Sequence, residues 1–88
     1  MMNFSYALAH IKDGAYMRRK GWNGKGMFVF LVRGSTFEVN REPLLSALGA
    51  GTKVTYRPHI DLFAADGTVG VWQPSMSDIM AEDWEHAD

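Results

Sequence analysis

Apolar positions follow a helical period at the start of the chain and a strand-like one over much of the rest. Phe4, Leu8 and Ile11 recur at spacings of four and three, which places them on one face of a helix. The spacing predicts a helix over 3–13. Asn3 is a suitable N-cap, Lys12 puts a cation near the negative end, and Gly14 supplies the left-handed stop. Residues 15–19 read as a first strand. Met27 to Arg33 is the clearest strand, and its nearly unbroken apolar run predicts that both of its faces are covered. Phe37 to Asn40 reads as a short strand, and Pro43 to Leu48 as one helical turn opened by proline. Val54 to Ala64 reads as one strand with an edge or bulge at Pro58. Asp66-Gly67 marks a hairpin whose returning strand is Thr68 to Trp72. Pro74 to Met80 leads through a loop into a helical turn, and Asp83 to His86 is a last short strand. The pattern predicts an α+β fold: a small antiparallel sheet with the N-terminal helix packed on it, as one domain over 1–88.

Composition narrows this picture. With 88 residues, 47% hydrophobic and 22% charged, the chain has the make-up of a folded domain. A domain of this size leaves much apolar surface uncovered, and disulfides, a metal or self-association usually compensate. There are 0 cysteines, so disulfides and thiolate zinc sites are excluded and self-association is the remedy left. The net charge of -1 argues against a non-specific DNA or RNA binder, which normally carries a basic excess. No secretory pattern opens the sequence, and no apolar run is long enough for a membrane span. A cytoplasmic protein is the expectation.

Three clusters are candidates for chemistry. In the first, Arg18, Arg19, Lys20 and Lys25 surround a glycine-rich turn that holds Trp22, Asn23 and Gly24. Glycine lets backbone N–H groups approach an anion, arginine grips phosphate through two parallel hydrogen bonds, and an indole stacks on a base. The spacing is not that of a P-loop. A solvated hairpin turn with its tryptophan folded onto the core is the plain alternative. In the second, His59 and Asp61 stand two apart on a strand, so both point to one face. They suit an acid–base pair but lack a third residue at metal-ligand spacing. In the third, Trp72 precedes a polar loop in which Ser75, Ser77 and Asp78 can accept from ribose hydroxyls or cap the following turn. Trp84 reads as core. With no cysteine and no nucleophile elbow, catalysis is not expected, and neither is a cofactor.

The blocks Asn3-Phe4-Ser5-Tyr6-Ala7-Leu8, Arg19-Lys20-Gly21-Trp22-Asn23-Gly24-Lys25-Gly26-Met27-Phe28, His59-Ile60-Asp61, Ala65-Asp66-Gly67-Thr68 and Ala81-Glu82-Asp83-Trp84 together resemble the phage and prophage family of Thoeris anti-defense proteins of the second type. The resemblance keeps the order and spacing of the blocks over nearly the whole chain. The stretch from Arg33 to Tyr56 departs most from the family pattern. The resemblance implies a sponge in the bacterial host cytoplasm. Such a protein binds the cyclic ADP-ribose isomer made by immune TIR enzymes and withholds it from its effector without cleaving it. It implies homotetramers with pockets between subunits and, in some relatives, a separate site for cyclic di- or trinucleotides. Arg18, Trp22, Asn23, Gly24, Lys25, Asp61, Trp72, Ser77 and Asp78 are then the candidate ligand contacts. A small nucleotide-processing enzyme using His59 and Asp61, a nucleic-acid-binding module and a ligand-free structural protein are the competing readings.

Overall fold

The computed structural model describes all 88 residues, Met1–Asp88. Helix α1 (Phe4–Lys12) opens as expected: the Asn3 side chain accepts from the backbone N–H of Tyr6. Gly14 follows it with φ +103°, a conformation that glycine takes without steric cost. The chain then forms β1 (Met17–Arg19), β2 (Phe28–Val32), β3 (Ser35–Glu38), α2 (Leu44–Leu48), β4 (Lys53–Tyr56), β5 (His59–Phe63), β6 (Val69–Val71), α3 (Met76–Met80) and β7 (Trp84–His86). Five strands make one antiparallel sheet in the order β6-β5-β2-β1-β7. The fold is α+β with the N-terminal helix on the sheet.

Strand alternation sorts the side chains into two faces. Met17, Val29 and Trp84 point to the inner face and are fully buried against Ala7 and Ile11 of α1. Helix α3 lies on that face too, because the Trp84 indole N–H donates to the Asp78 carbonyl at 3.0 Å. Phe28 and Phe30 point to the outer face, where no helix packs. They are half-buried beneath one another and beneath Tyr16 and Phe63, with Phe28 and Phe63 stacked at 5.1 Å. The expectation that both faces of β2 are covered therefore holds only for the inner one, and there only around Val29. Aromatic neighbours, rather than a second layer, shield the outer face.

A second correction concerns the run from Val54 to Ala64. It is two strands in two sheets, β4 paired with β3 and β5 paired with β2. The break falls at Arg57-Pro58, where proline removes a ladder donor. Strands β3 and β4, with α2 between them, form an arm. Its small core is Val39, with Phe37 stacked on Tyr56 at 5.3 Å. At the arm's root the two chain segments nearly touch. A Cβ on Gly34 would lie 2.3 Å from the Tyr56 carbonyl oxygen.

Candidate functional site

Arg18 and Arg19 are adjacent in β1 and so leave the sheet on opposite faces. Arg18 Nε donates to Glu85 Oε2 at 2.9 Å on the outer face. Arg19 donates through Nε to Asp83 Oδ1 at 2.9 Å and through Nη1 to Asp78 Oδ1 at 3.0 Å. The turn that follows is fastened to the same carboxylates. The Gly21 N–H donates to Asp83 Oδ2 at 2.9 Å, and the Trp22 indole N–H to Asp78 Oδ1 at 3.1 Å. Both glycines are closely packed: a Cβ at 21 would meet Asp83 Oδ2 at 2.8 Å, and one at 24 would meet the Met27 side chain and the Ala65 Cβ, the latter at 2.8 Å.

Asp78 is the buried centre of this arrangement. Ser75 caps α3, its hydroxyl accepting from the Asp78 N–H at 3.1 Å while the Ser75 N–H donates back to Asp78 Oδ2 at 3.0 Å. Burial by itself pushes the Asp78 carboxyl up. The Ser75, Arg19 and Trp22 donors together outweigh it and hold the group below the ordinary carboxylate value. Asp83 is lowered chiefly by its hydrogen bond from Arg19. Two of the four cations around the turn are thus neutralised in place. Arg18, Trp22, Gly24 and Lys25 still line one shallow groove of about 270 Å³ beside Lys20 and Glu85.

The larger concavity lies elsewhere. Helix α1 has nine residues and does not reach across five strands, and Gly70 contributes no side chain opposite Leu62. The inner face of β5 and β6, with the Leu31 end of β2, is left uncovered and becomes a cleft of about 730 Å³. That is within the range of small-molecule sites. Phe4 and Leu8 of α1, Leu31 and Ile60 of the sheet, and Trp72 and Pro74 line it, with the Phe4 and Trp72 rings in contact at 6.2 Å. Lys12, one turn beyond Leu8 on the same helical stripe, and Arg33, two residues beyond Leu31, also line it. The chain has 10 Asp and Glu residues, yet none lines this cleft. A ligand here meets aromatic and aliphatic surface together with cations.

The nine candidate residues therefore occupy four places. Arg18, Trp22, Asn23, Gly24 and Lys25 belong to the turn, with Asn23 exposed and outside the groove. Trp22 reaches Asp78, whereas Ser77 is exposed on α3. Trp72 lines the large cleft. Asp61 stands on the outer face between Phe30 and Val71. His59, which also lines the rim of the large cleft, has its Nε2 3.2 Å from the buried Asp61 Oδ1, at an angle that makes no good hydrogen bond, and no three acidic or histidine side chains converge on a metal-binding position. One residue connects the turn and the cleft. Trp84 meets Trp22 edge-on at 5.4 Å and Trp72 edge-on at 5.9 Å, and Phe4 packs on both Trp72 and Trp84. The cleft residues Phe4, Leu8, Lys12 and Arg33 are not among the nine. The spacing of Phe4, Leu8 and Lys12 was the available signal, but a stripe of that kind ordinarily marks core.

Fold and site together define a class: a small α+β domain whose helix leaves an aromatic, carboxylate-free cleft on the inner face of its sheet. A family model of the Thoeris anti-defense 2-like domain matches residues 2–87. Thoeris anti-defense 2 of Bacillus phage SP01 is 35% identical over 89 residues, an alignment spanning 96% of this chain and 92% of that protein. The chain belongs to the Thoeris anti-defense 2-like family, and phage anti-defense is its role.

Proposed function

We propose that this anti-defense chain acts by sequestration: it binds a cyclic ADP-ribose isomer, the signal of the bacterial defense, and holds it without cleaving it. The observation that carries this reading is the cleft, with an indole on one wall, two cations on its lining and no carboxylate. An adenine ring fits an indole and aliphatic wall, and a pyrophosphate is drawn to cations and repelled by carboxylates. Binding of this kind lowers free ligand without stabilising a transition state. A cyclic ligand also loses little conformational freedom on binding. Cyclic di- and trinucleotides are the competing ligands. Self-association into a homotetramer belongs to the same proposal, and the large hydrophobic side chains left exposed on one copy support it.

The test is mass balance. Cyclic ADP-ribose isomer is incubated with excess protein, and the filtrate is assayed for activation of the defense effector. The complex is then heat-denatured and its supernatant analysed by chromatography. Intact ligand released from an inactive filtrate is the expected result. A linear or hydrolysed product would overturn it in favour of an enzyme, with His59 and Asp61 the first residues to substitute.

A further inference from the structure

We infer that Lys12 and Arg33 form a two-cation clamp that reads the pyrophosphate bridge of the ligand and so sets the specificity of the cleft. The inference rests on the sequestration reading above and extends it to residues outside the candidate set.

The two cations differ in circumstance from those of the turn. Arg18 and Arg19 are consumed by Glu85, Asp78 and Asp83 at 2.9–3.0 Å. Neither Lys12 nor Arg33 takes part in any ion pair of the chain, and no acidic residue shares the cleft with them. Both are exposed and so partly screened by solvent, but a ligand need displace no internal carboxylate to reach either. Each is also positioned. Lys12 continues the Phe4–Leu8 stripe at the exposed end of α1 and lines the cleft with those residues. Arg33 is held at the arm's root, where the neighbouring Gly34 admits the Tyr56 carbonyl and Pro58 so closely that a Cβ would lie 2.3 Å and 3.2 Å from them. That contact packs the backbone closely at 33–34, while the exposed Arg33 side chain has still to be ordered on binding.

The helix end does not do this work itself. Lys12 sits in the last turn of α1, the negative end of the helix dipole, which disfavours an anion. The attraction must come from the ammonium and the guanidinium. Two cations on one cleft match a ligand with two adjacent charges, a pyrophosphate, better than a neutral nucleoside.

The test uses the full chain and calorimetry with two probes, cyclic ADP-ribose and adenosine. Wild type is compared with Lys12→Met, Arg33→Met, the double variant and Trp72→Ala, after thermal melts confirm folding. Methionine keeps an apolar stem and removes the charge. Each single substitution is expected to weaken cyclic ADP-ribose by about 10- to 100-fold, the loss of one charge-assisted contact, and to lower the ratio of its affinity to that of adenosine. Arg33→Lys should recover part of the loss. Raising salt should weaken wild type steeply and the double variant little. Folded Lys12 and Arg33 variants with wild-type affinity and salt dependence, alongside a defective Trp72→Ala, would overturn the clamp and leave the cleft standing. Unchanged binding in Trp72→Ala, or no binding by wild type, would overturn the cleft reading and the clamp with it.

Discussion

Asp78 joins two stretches of chain that are far apart in sequence: its own helix cap at Ser75, and the end of β1 with the turn that follows it, through Arg19 and Trp22. Replacing it with alanine leaves a partly buried guanidinium and an indole N–H each short of an acceptor. Asp78→Ala should lower stability by about 2–4 kcal/mol, read as a reduced denaturation midpoint with unchanged m. The carboxyls of Asp78 and Asp83 are both held low in the folded state, so the unfolded chain binds more protons in acid. Their contribution is fully present above the ordinary carboxylate value of about 4 and is lost as pH falls through their folded values. Thermal melts from pH 6 to 3 should show stability falling below about 4, with a shallower fall in Arg19→Met. The tryptophans divide by surroundings. Trp84→Ala removes a fully buried hub and should cost about 3–5 kcal/mol. Trp72→Ala should leave a folded protein whose ligand affinity drops by about 1–3 kcal/mol, measured by calorimetry. The cap by Ser75 and the burial of Trp84 were legible in the sequence, because both follow from local pattern and residue type. The claims of Arg19 and Trp22 on Asp78 were not, since they depend on β1 pairing with β7 across more than fifty residues.

At the scale of elements, the strongest local signals held: the helix from Asn3 to Gly14, the strand at β2, and the hairpin at Asp66-Gly67, where Asp66 accepts from the Thr68 N–H at 3.0 Å. The arm was the main loss. A continuous β-like run from Val54 to Ala64 carries no mark of which strand each half pairs with, and Pro58 signalled a disturbance without revealing a change of sheet. The cleft was invisible for a related reason. It is made by what α1 fails to cover, and a stripe such as Phe4–Leu8–Lys12 reads alike whether it meets core or a cavity. The principal packing partners of β3 and β4 are each other. Val32 and His59, at the two ends of the arm's connection to the body, are cross-strand partners. A tight turn can therefore join β2 to β5 directly. Replacing residues 33–58 by a short Asn-Gly turn should leave the body folded, with amide-exchange protection of β1, β2, β5 and β7 retained. Loss of protection throughout the sheet would show that the arm stabilises the body.

The whole molecule is elongated. Its Cα radius of gyration is 16.0 Å, against about 12 Å for a compact chain of this length, and its longest dimension is 47 Å. Only 7 of 88 residues are buried, while Val69, Val71, Leu48 and Tyr56 are each at least half exposed. The edge strand β6 adds to this, since Val69 and Val71 stand at a sheet border that carries no charge. One copy thus has too little core for its surface, as the absence of cysteine had suggested, and we expect a multimer at micromolar concentration. Light scattering should report at least a dimer and, on the proposed function, a tetramer. A stable monomer would remove that part of the proposal. No helix is long and apolar enough to cross a membrane.

The contact of Trp84 with both Trp22 and Trp72 also has an optical consequence. All 3 indoles of the chain belong to one cluster, with neighbouring ring centres less than 6 Å apart. Excitation passes between chromophores at that range faster than it is emitted, so the cluster emits as a unit. A purine laid against Trp72 would quench light absorbed by all three, and a change at the basic turn would alter the same band. On the proposed function, the emission of the unlabelled protein would therefore report the occupancy of the cleft and the integrity of the turn through one shared signal.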